Sequence, residues 1–129
     1  MERVRFKEIR TRLNKTQKEM AWILGVSIKA VHSYEQGWRN IPHHVERQIL
    51  FLVSRSDLNP QKNVLNCWDI LKCPGEIIEI CPAWEFQSGD ICWFVTGLMR
   101  RGSPCRSWEE KIQLCRQCIV FKRIFDTMG

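Results

Sequence analysis

Seven cysteines lie in the second half of this 129-residue chain, and thiols at such density are the groups most able to do chemistry here. Three occur in CWDILKCPGEIIEICP, residues 67 to 82, and the last two form CRQC, residues 115 to 118. The N-terminal stretch MERVRFKEIRTRL is charged and lacks the apolar segment of a signal peptide, which predicts a cytoplasmic protein. Thiols stay reduced in that compartment, so the cysteines indicate metal binding or redox chemistry rather than structural disulfides.

The spacing of the cysteines favours an iron–sulfur cluster over zinc. The seven are Cys67, Cys73, Cys81, Cys92, Cys105, Cys115 and Cys118. Zinc sites usually use two close cysteine pairs or pairs completed by His, whereas this set contains one CxxC pair. A [4Fe-4S] cubane takes thiolates from distant positions, and proline follows Cys73 and Cys81 as it follows ligand cysteines in ferredoxins. We therefore expect a [4Fe-4S] cluster, with zinc as the alternative.

Four tryptophans near the cysteines are expected to surround the cluster and limit its access to water, which affects its reduction potential. They are Trp68, Trp84, Trp93 and Trp108. The alternative is that they form the hydrophobic core of a small domain, and one or two of the cysteines also fit that description. Burial alone does not explain seven cysteines in about fifty residues.

Charge divides the chain into two modules. Residues 1–59 carry eleven Lys or Arg against six Asp or Glu together with all three histidines, while every cysteine lies beyond residue 66. The polar stretch SRSDLNPQKN separates the halves and contains an Asn-Pro pair that ends helices. We predict a helical domain over residues 1–55, a linker over residues 56–65 and a cysteine-rich domain over residues 66–125.

Two short helices joined by a tight turn are predicted inside the first module. Thr16 and Glu19 have the spacing of a capping box, and Gly25 can take the left-handed conformation that ends a helix. Ser27 is a natural N-cap for the next helix, which ends at Gly37. A glycine-containing turn between two such helices is typical of a helix-turn-helix unit.

A first helix and a last one, opening near Pro42, complete a predicted bundle of four to five helices. Their expected core residues are Phe6, Ile9, Leu13, Val45, Ile49, Leu52 and Val53. Three further apolar residues are not needed for a single buried face on each helix: Trp22, Leu50 and Phe51. They are expected to form a dimer interface or a contact with the second module. The predicted fold class is mainly α, with a small irregular or α-helical cysteine-rich domain.

The third helix is expected to carry a polar, cationic face opposite its core residues. That face comprises Ile28, Lys29, His32, Ser33 and Gln36. Side chains of this kind meet base edges and phosphates when a helix enters the major groove. The competing interpretation is a solvated face on a protein-interaction module.

The stretch TQKEMAWILGVSIKAVHSYEQGWRNIP resembles the helix-turn-helix of the Cro and phage-repressor type, the xenobiotic-response-element family, over roughly residues 5 to 55. The resemblance implies that Gln17 and Ser27 contact the DNA backbone. It implies that the base-reading positions are Ile28, Lys29, His32 and Ser33. It also implies phosphate contacts from Trp38, Arg39 and Asn40.

The stretch from Asn66 to Cys118 resembles the two-CW cysteine-rich domain of regulatory proteins from anaerobic bacteria, through its two Cys-Trp units, its CPAWEFQ block and its terminal CxxC. The resemblance covers roughly residues 66 to 121. It implies a ligand set consisting of Cys67, Cys73, Cys81, Cys92, Cys115 and Cys118. Cys105 stands outside the family pattern.

Together these features predict a homodimeric regulator that binds double-stranded DNA and senses redox state or oxygen through its cluster. Two alternatives stay open, namely a DNA-binding protein with a structural zinc site and an adaptor or electron-transfer protein that does not bind DNA. No acid, base and nucleophile set stands out, so neither an enzyme nor a small-molecule substrate is expected. No apolar run of about 18 residues occurs, so no membrane span is expected either.

Overall fold

The computed structural model describes residues 1–59, 66–101 and 103–125. Across these ranges the protein is mainly α-helical, as predicted, and its strands are two short ones. The chain divides into two compact units, Met1–Ser56 and Asp57–Gly129. Residues 60–65 of the predicted linker lie outside the described residues. None of the helices in the described ranges has both the length and the apolar character to cross a membrane.

The first unit consists of four helices. They are α1 (Arg3–Arg12), α2 (Gln17–Leu24), α3 (Ile28–Gln36) and α4 (His43–Arg55). The Thr16 hydroxyl accepts a hydrogen bond from the Glu19 amide, and the Glu19 carboxylate accepts one from the Thr16 amide, both at 3.1 Å. This reciprocal pair confirms the predicted capping box and fixes the start of α2.

The turn between α2 and α3 has the predicted chemistry. Gly25 ends α2 in the left-handed conformation, with φ of 71°, which side chains with a Cβ adopt at a cost. The Ser27 hydroxyl then accepts the amide of Ala30 at 3.0 Å and caps α3. The next reversal is at Gly37, also left-handed with φ of 78°. Local sequence chemistry therefore sets both ends of α3.

The core of this unit forms where the apolar faces of its helices pack against one another. Its fully buried side chains include Phe6, Ile9, Met20, Val31, Val45, Ile49 and Val53. Leu13 and Leu52, predicted to be core residues, are only half-buried, whereas Leu50 is buried. At 100° per residue Leu50 falls next to Val53 on the inner side of α4, and Leu52 falls at its edge. Leu50 is therefore not exposed for a dimer interface, the first of its two predicted roles.

A buried ion pair ties α1 to α3. The Arg10 guanidinium donates through Nε to Glu35 Oε2 at 2.9 Å and through Nη2 to Glu35 Oε1 at 2.8 Å. The Glu35 side chain is 1% exposed and that of Arg10 is 12% exposed. Arg10 Nη1 also donates to the Lys15 carbonyl, and Gln17 Nε2 donates to Glu35 Oε2 at 3.4 Å. This network fixes the start of α2 relative to α3.

The second unit contains six short helices, a 3-10 turn and a two-stranded hairpin among its described residues. The helices are α5 (Cys67–Leu71), α6 (Gly75–Ile78), α7 (Pro82–Glu85), α8 (Cys92–Val95), α9 (Trp108–Arg116) and α10 (Ile119–Phe125). The 3-10 turn spans Gly89–Ile91. Strands β1 (Met99–Arg100) and β2 (Ser103–Pro104) pair antiparallel, with Met99 opposite Pro104.

An aromatic core holds the second unit together. Trp93 is buried and packs edge-on against Phe121 and Phe125, with ring centroids 6.2 and 5.6 Å apart. These rings link α8 to α10. A close approach at Gly89 links α5 to the 3-10 turn, because a Cβ there would lie 2.9 Å from the Cys67 nitrogen. Only glycine fits at this point without displacing the backbone that carries Cys67.

Candidate metal centre and nucleic-acid interface

Six of the seven cysteines line one cavity of about 60 Å³ in the second unit. The six are Cys67, Cys73, Cys81, Cys92, Cys115 and Cys118. They are the six residues that the sequence predicted as ligands, and the outermost two, Cys67 and Cys118, are 51 positions apart in the chain. Cys105 is half-buried and is not among the lining residues. The fold thus gathers the predicted set around a common space.

Helix boundaries place most of these thiols. Cys67 and Cys92 are the first residues of α5 and α8, and Cys115 lies in the last turn of α9. Cys118 follows α9, and its amide donates to the Cys115 carbonyl at 2.9 Å, which holds the two ends of CRQC together. Each of these cysteines therefore sits where a rigid segment meets a turn.

The two Cys-Pro units act in the same way. Pro74 precedes α6 as its N-cap, and Pro82 is the first residue of α7, so each proline supplies the fixed φ that a helix start favours. Cys73 directly precedes Pro74, and Cys81 directly precedes Pro82. The prolines thereby restrict the backbone next to both thiols, as predicted from their position.

Positive side chains complete the wall of the cavity. Arg100, Arg101 and Lys111 line it together with apolar residues and Thr96, and its described lining residues include no Asp or Glu. A cavity of thiols and cations favours an anionic occupant. Of the four tryptophans predicted to surround the site, Trp93 is the one among the lining residues.

Hydrogen bonding and burial give three of the cavity thiols different pKa values. The Cys92 thiol hydrogen-bonds to Cys67, which lowers the pKa of Cys67 below its ordinary value and raises the pKa of Cys92 well above it. Burial adds to the rise at Cys92 and is the main cause of the raised pKa of Cys115, which Lys111 and Arg100 oppose. Cys67 is therefore the thiol of these three that ionises most readily.

Within residues 1–59, 66–101 and 103–125, no three His, Cys, Asp or Glu side chains are grouped so as to hold a single metal ion. The six thiols surround a space instead of meeting at one point. By the volume that one water molecule needs, about 10–15 Å³, the cavity has room for about four to six waters. In donor type and donor number, the cavity suits a group that several thiolates hold together.

The α3 helix in the first unit presents most of the face that the sequence predicted. Ile28, Lys29 and Gln36 are exposed, and His32 is half-buried. Ser33 departs from the prediction, because it is buried at 7% exposure. At 100° per residue it lies beyond Lys29 on the side of Ala30, at the margin of the arc that packs inward. Ser33 is therefore not exposed with the other residues of this face, and its role in base reading stays a prediction.

Residues flanking that face are also accessible. Trp38, Arg39 and Asn40 are exposed after the end of α3, and the Trp38 ring lies edge-on to His32 with centroids 5.4 Å apart. Ser27 is exposed while its oxygen caps α3, which leaves its hydroxyl hydrogen available as a donor. Gln17 is half-buried beside Glu35. The exposed face is polar and cationic apart from Ile28 and Trp38.

Comparison with known proteins adds no assignment, since no family model, curated protein or solved structure matches the chain. The two resemblances drawn from the sequence therefore stay predictions.

Sequence reasoning missed Lys111 as a residue of the cavity. Trp108, Lys111, Ile112 and Cys115 are spaced at i, i+3, i+4 and i+7, and all four are buried on one stripe of α9. A lysine inside an otherwise apolar helical stripe was the available signal. Such a position requires the charge to find compensation within the fold or in a ligand.

Proposed function

We propose that this protein is a sequence-specific DNA-binding transcriptional regulator whose second unit binds an iron–sulfur cluster. The observation that carries the proposal is the arrangement of six cysteines around one cavity with a cationic wall. A cluster held by thiolates is anionic, so the lining complements it in both ligands and charge.

The cavity favours a cluster over a single zinc ion. Zinc draws its ligands to about 2.3 Å from one centre, whereas each thiolate of a cubane bonds its own iron and the group fills a larger space. The ligands would come from the six lining cysteines, with Cys67 the first to ionise of those whose acidity is shifted. When bound, the cluster supplies one-electron redox chemistry and sensitivity to oxygen.

The first unit supports DNA binding through the exposed part of α3. Lys29 and Gln36 offer donors for base edges, and His32 borders them, while Arg39 and Asn40 suit phosphate contacts. The capped start of α2 and the turn at Gly25 have the chemistry of a helix-turn-helix. A homodimer on two half-sites would supply the affinity that one small module lacks.

The redox state of the cluster is proposed to alter DNA affinity, because cofactor binding and folding are coupled in small metal domains. The test is to select a preferred DNA site with anaerobically prepared protein, then to compare affinity for that site in reduced, oxidised and cofactor-free protein at one salt concentration. We expect the affinity to differ between these states. Equal affinity in all three would refute the sensing role while leaving DNA binding intact.

DNA reading by α3 has its own test, the substitution Lys29→Ala. A lost base contact costs about 1–3 kcal/mol of discrimination between the selected site and an unrelated duplex. Lys7→Ala, at an exposed position on α1, is the matched control for charge and should leave that discrimination unchanged. Discrimination that survives Lys29→Ala would refute base reading by Lys29, whereas the absence of any preferred DNA would favour an adaptor or electron-transfer protein.

A further inference from the structure

Lys111 brings a positive charge into the interior of the second unit. It is 1% exposed, and its Nζ donates to the Trp93 carbonyl at 2.8 Å, to Thr96 Oγ1 at 2.7 Å and to the Gly97 carbonyl. These acceptors belong to α8 and the two residues that follow it, and they hold the ammonium in place on the wall of the cysteine cavity. A charge fixed in a low-dielectric interior acts strongly on any charged neighbour.

Trp93 brings an unsatisfied donor to the same wall. Its side chain is buried and lines the cavity, and its indole N–H has no hydrogen-bond partner among the described residues. Buried N–H groups nearly always have an acceptor, so a sulfur atom in the cavity is a candidate acceptor for this donor. Cysteine sulfur and cluster sulfide are both acceptors of N–H hydrogen bonds, and such bonds tune iron–sulfur centres.

We propose that Lys111 and Trp93 raise the reduction potential of the bound cluster, Lys111 through its charge and Trp93 by donating its indole N–H to a sulfur. The inference rests on the cluster proposed above and adds residues that are not ligands. Reduction adds one negative charge to the cluster, so a fixed cation and a hydrogen-bond donor stabilise the reduced form more than the oxidised form. The hydrogen bond that Lys111 Nζ donates to the Trp93 carbonyl places both residues on one side of the cavity.

The test is a redox titration of the anaerobically prepared full chain, followed by EPR, with iron and sulfide measured in each sample. The variants are Lys111→Met, which keeps the length of the side chain without its charge, and Trp93→Phe, which keeps an aromatic ring without the N–H. Their controls are Lys122→Met on the exposed side of α10 and Trp84→Phe at an exposed ring.

We expect Lys111→Met to lower the midpoint potential so that the reduced-to-oxidised ratio at a fixed ambient potential falls at least tenfold, about 59 mV for one electron. Trp93→Phe should lower that ratio at least threefold, and both controls should stay within twofold. If Lys111→Met does not fold, Trp93→Phe still tests the effect on the midpoint potential, because a phenyl ring can keep the packing against Phe121 and Phe125.

A cluster-loaded variant whose ratio rises, or falls by less than tenfold for Lys111→Met or threefold for Trp93→Phe, overturns the role of the residue concerned. A wild-type chain that binds no iron and sulfide overturns the cluster and this inference together. Full loading with unchanged potentials in both variants overturns this inference alone. The two failures are therefore distinguishable.

Discussion

The substitution Glu35→Gln tests how the first unit holds α3 in place. It replaces a carboxylate that is 1% exposed with a neutral amide and leaves the Arg10 guanidinium without its counter-charge. Breaking a buried ion pair by changing one partner costs about 3–5 kcal/mol. Arg10 keeps its bond to the Lys15 carbonyl at 2.8 Å and is 12% exposed, so we expect the lower end, about 3 kcal/mol.

That loss is large for a unit of this size. Proteins have a free energy of unfolding of about 0.05–0.15 kcal/mol per residue, which is about 3–8 kcal/mol for 56 residues. Hydrogen exchange of the full chain, read by mass spectrometry on peptides from residues 1–56, should show opening about 150-fold more often. The control Glu8→Gln breaks an exposed pair with Arg12, 3.0 Å long, that is worth about 0.3–0.5 kcal/mol. If Glu35→Gln exchanges like this control, the buried pair does not anchor α3.

Two further substitutions probe the cysteine cavity. Cys73→Ser should lower the iron and sulfide bound per chain as much as replacement of either CRQC cysteine. The control Cys105→Ser should keep its iron and sulfide. Full iron and sulfide content in Cys73→Ser would contradict the proposed ligand set. Gly89→Ala places a Cβ 2.7 Å from the Trp68 ring and should lower the free energy of unfolding of the second unit by about 1–3 kcal/mol, measured by chemical denaturation. The control Gly75→Ala, where a Cβ meets no atom within 4 Å, should lower it by less. Equal stabilities of the two variants would refute the close approach at Gly89.

The first unit could be predicted in detail because short-range rules set its boundaries. The Thr16 capping box, the left-handed Gly25 and the Ser27 cap each depend on residues within four positions, and all three are present. The burial of residues at the edge of a helix face was harder to predict. Ser33 and Leu52 lie at the edge of a buried helix face, where a small rotation of the helix decides burial, and that rotation depends on neighbouring helices rather than on local sequence.

The second unit followed a different pattern. Cysteine type and proline placement predicted a candidate site, but spacing alone did not show that positions fifty residues apart line one cavity. The burial of Lys111 depends on acceptors at the end of α8, which no local pattern specifies. The hairpin of β1 and β2 was also not predicted, since each strand has two residues and carries no alternating pattern.

The central claim is that the six-cysteine cavity holds an iron–sulfur cluster, and its most direct test is iron, zinc and acid-labile sulfide analysis of the anaerobically prepared chain, with EPR after reduction. The account predicts coloured protein with about four iron and four sulfide per chain, as a [4Fe-4S] cluster requires, and a signal from the reduced cluster. Colourless protein that contains zinc but neither iron nor sulfide would contradict it.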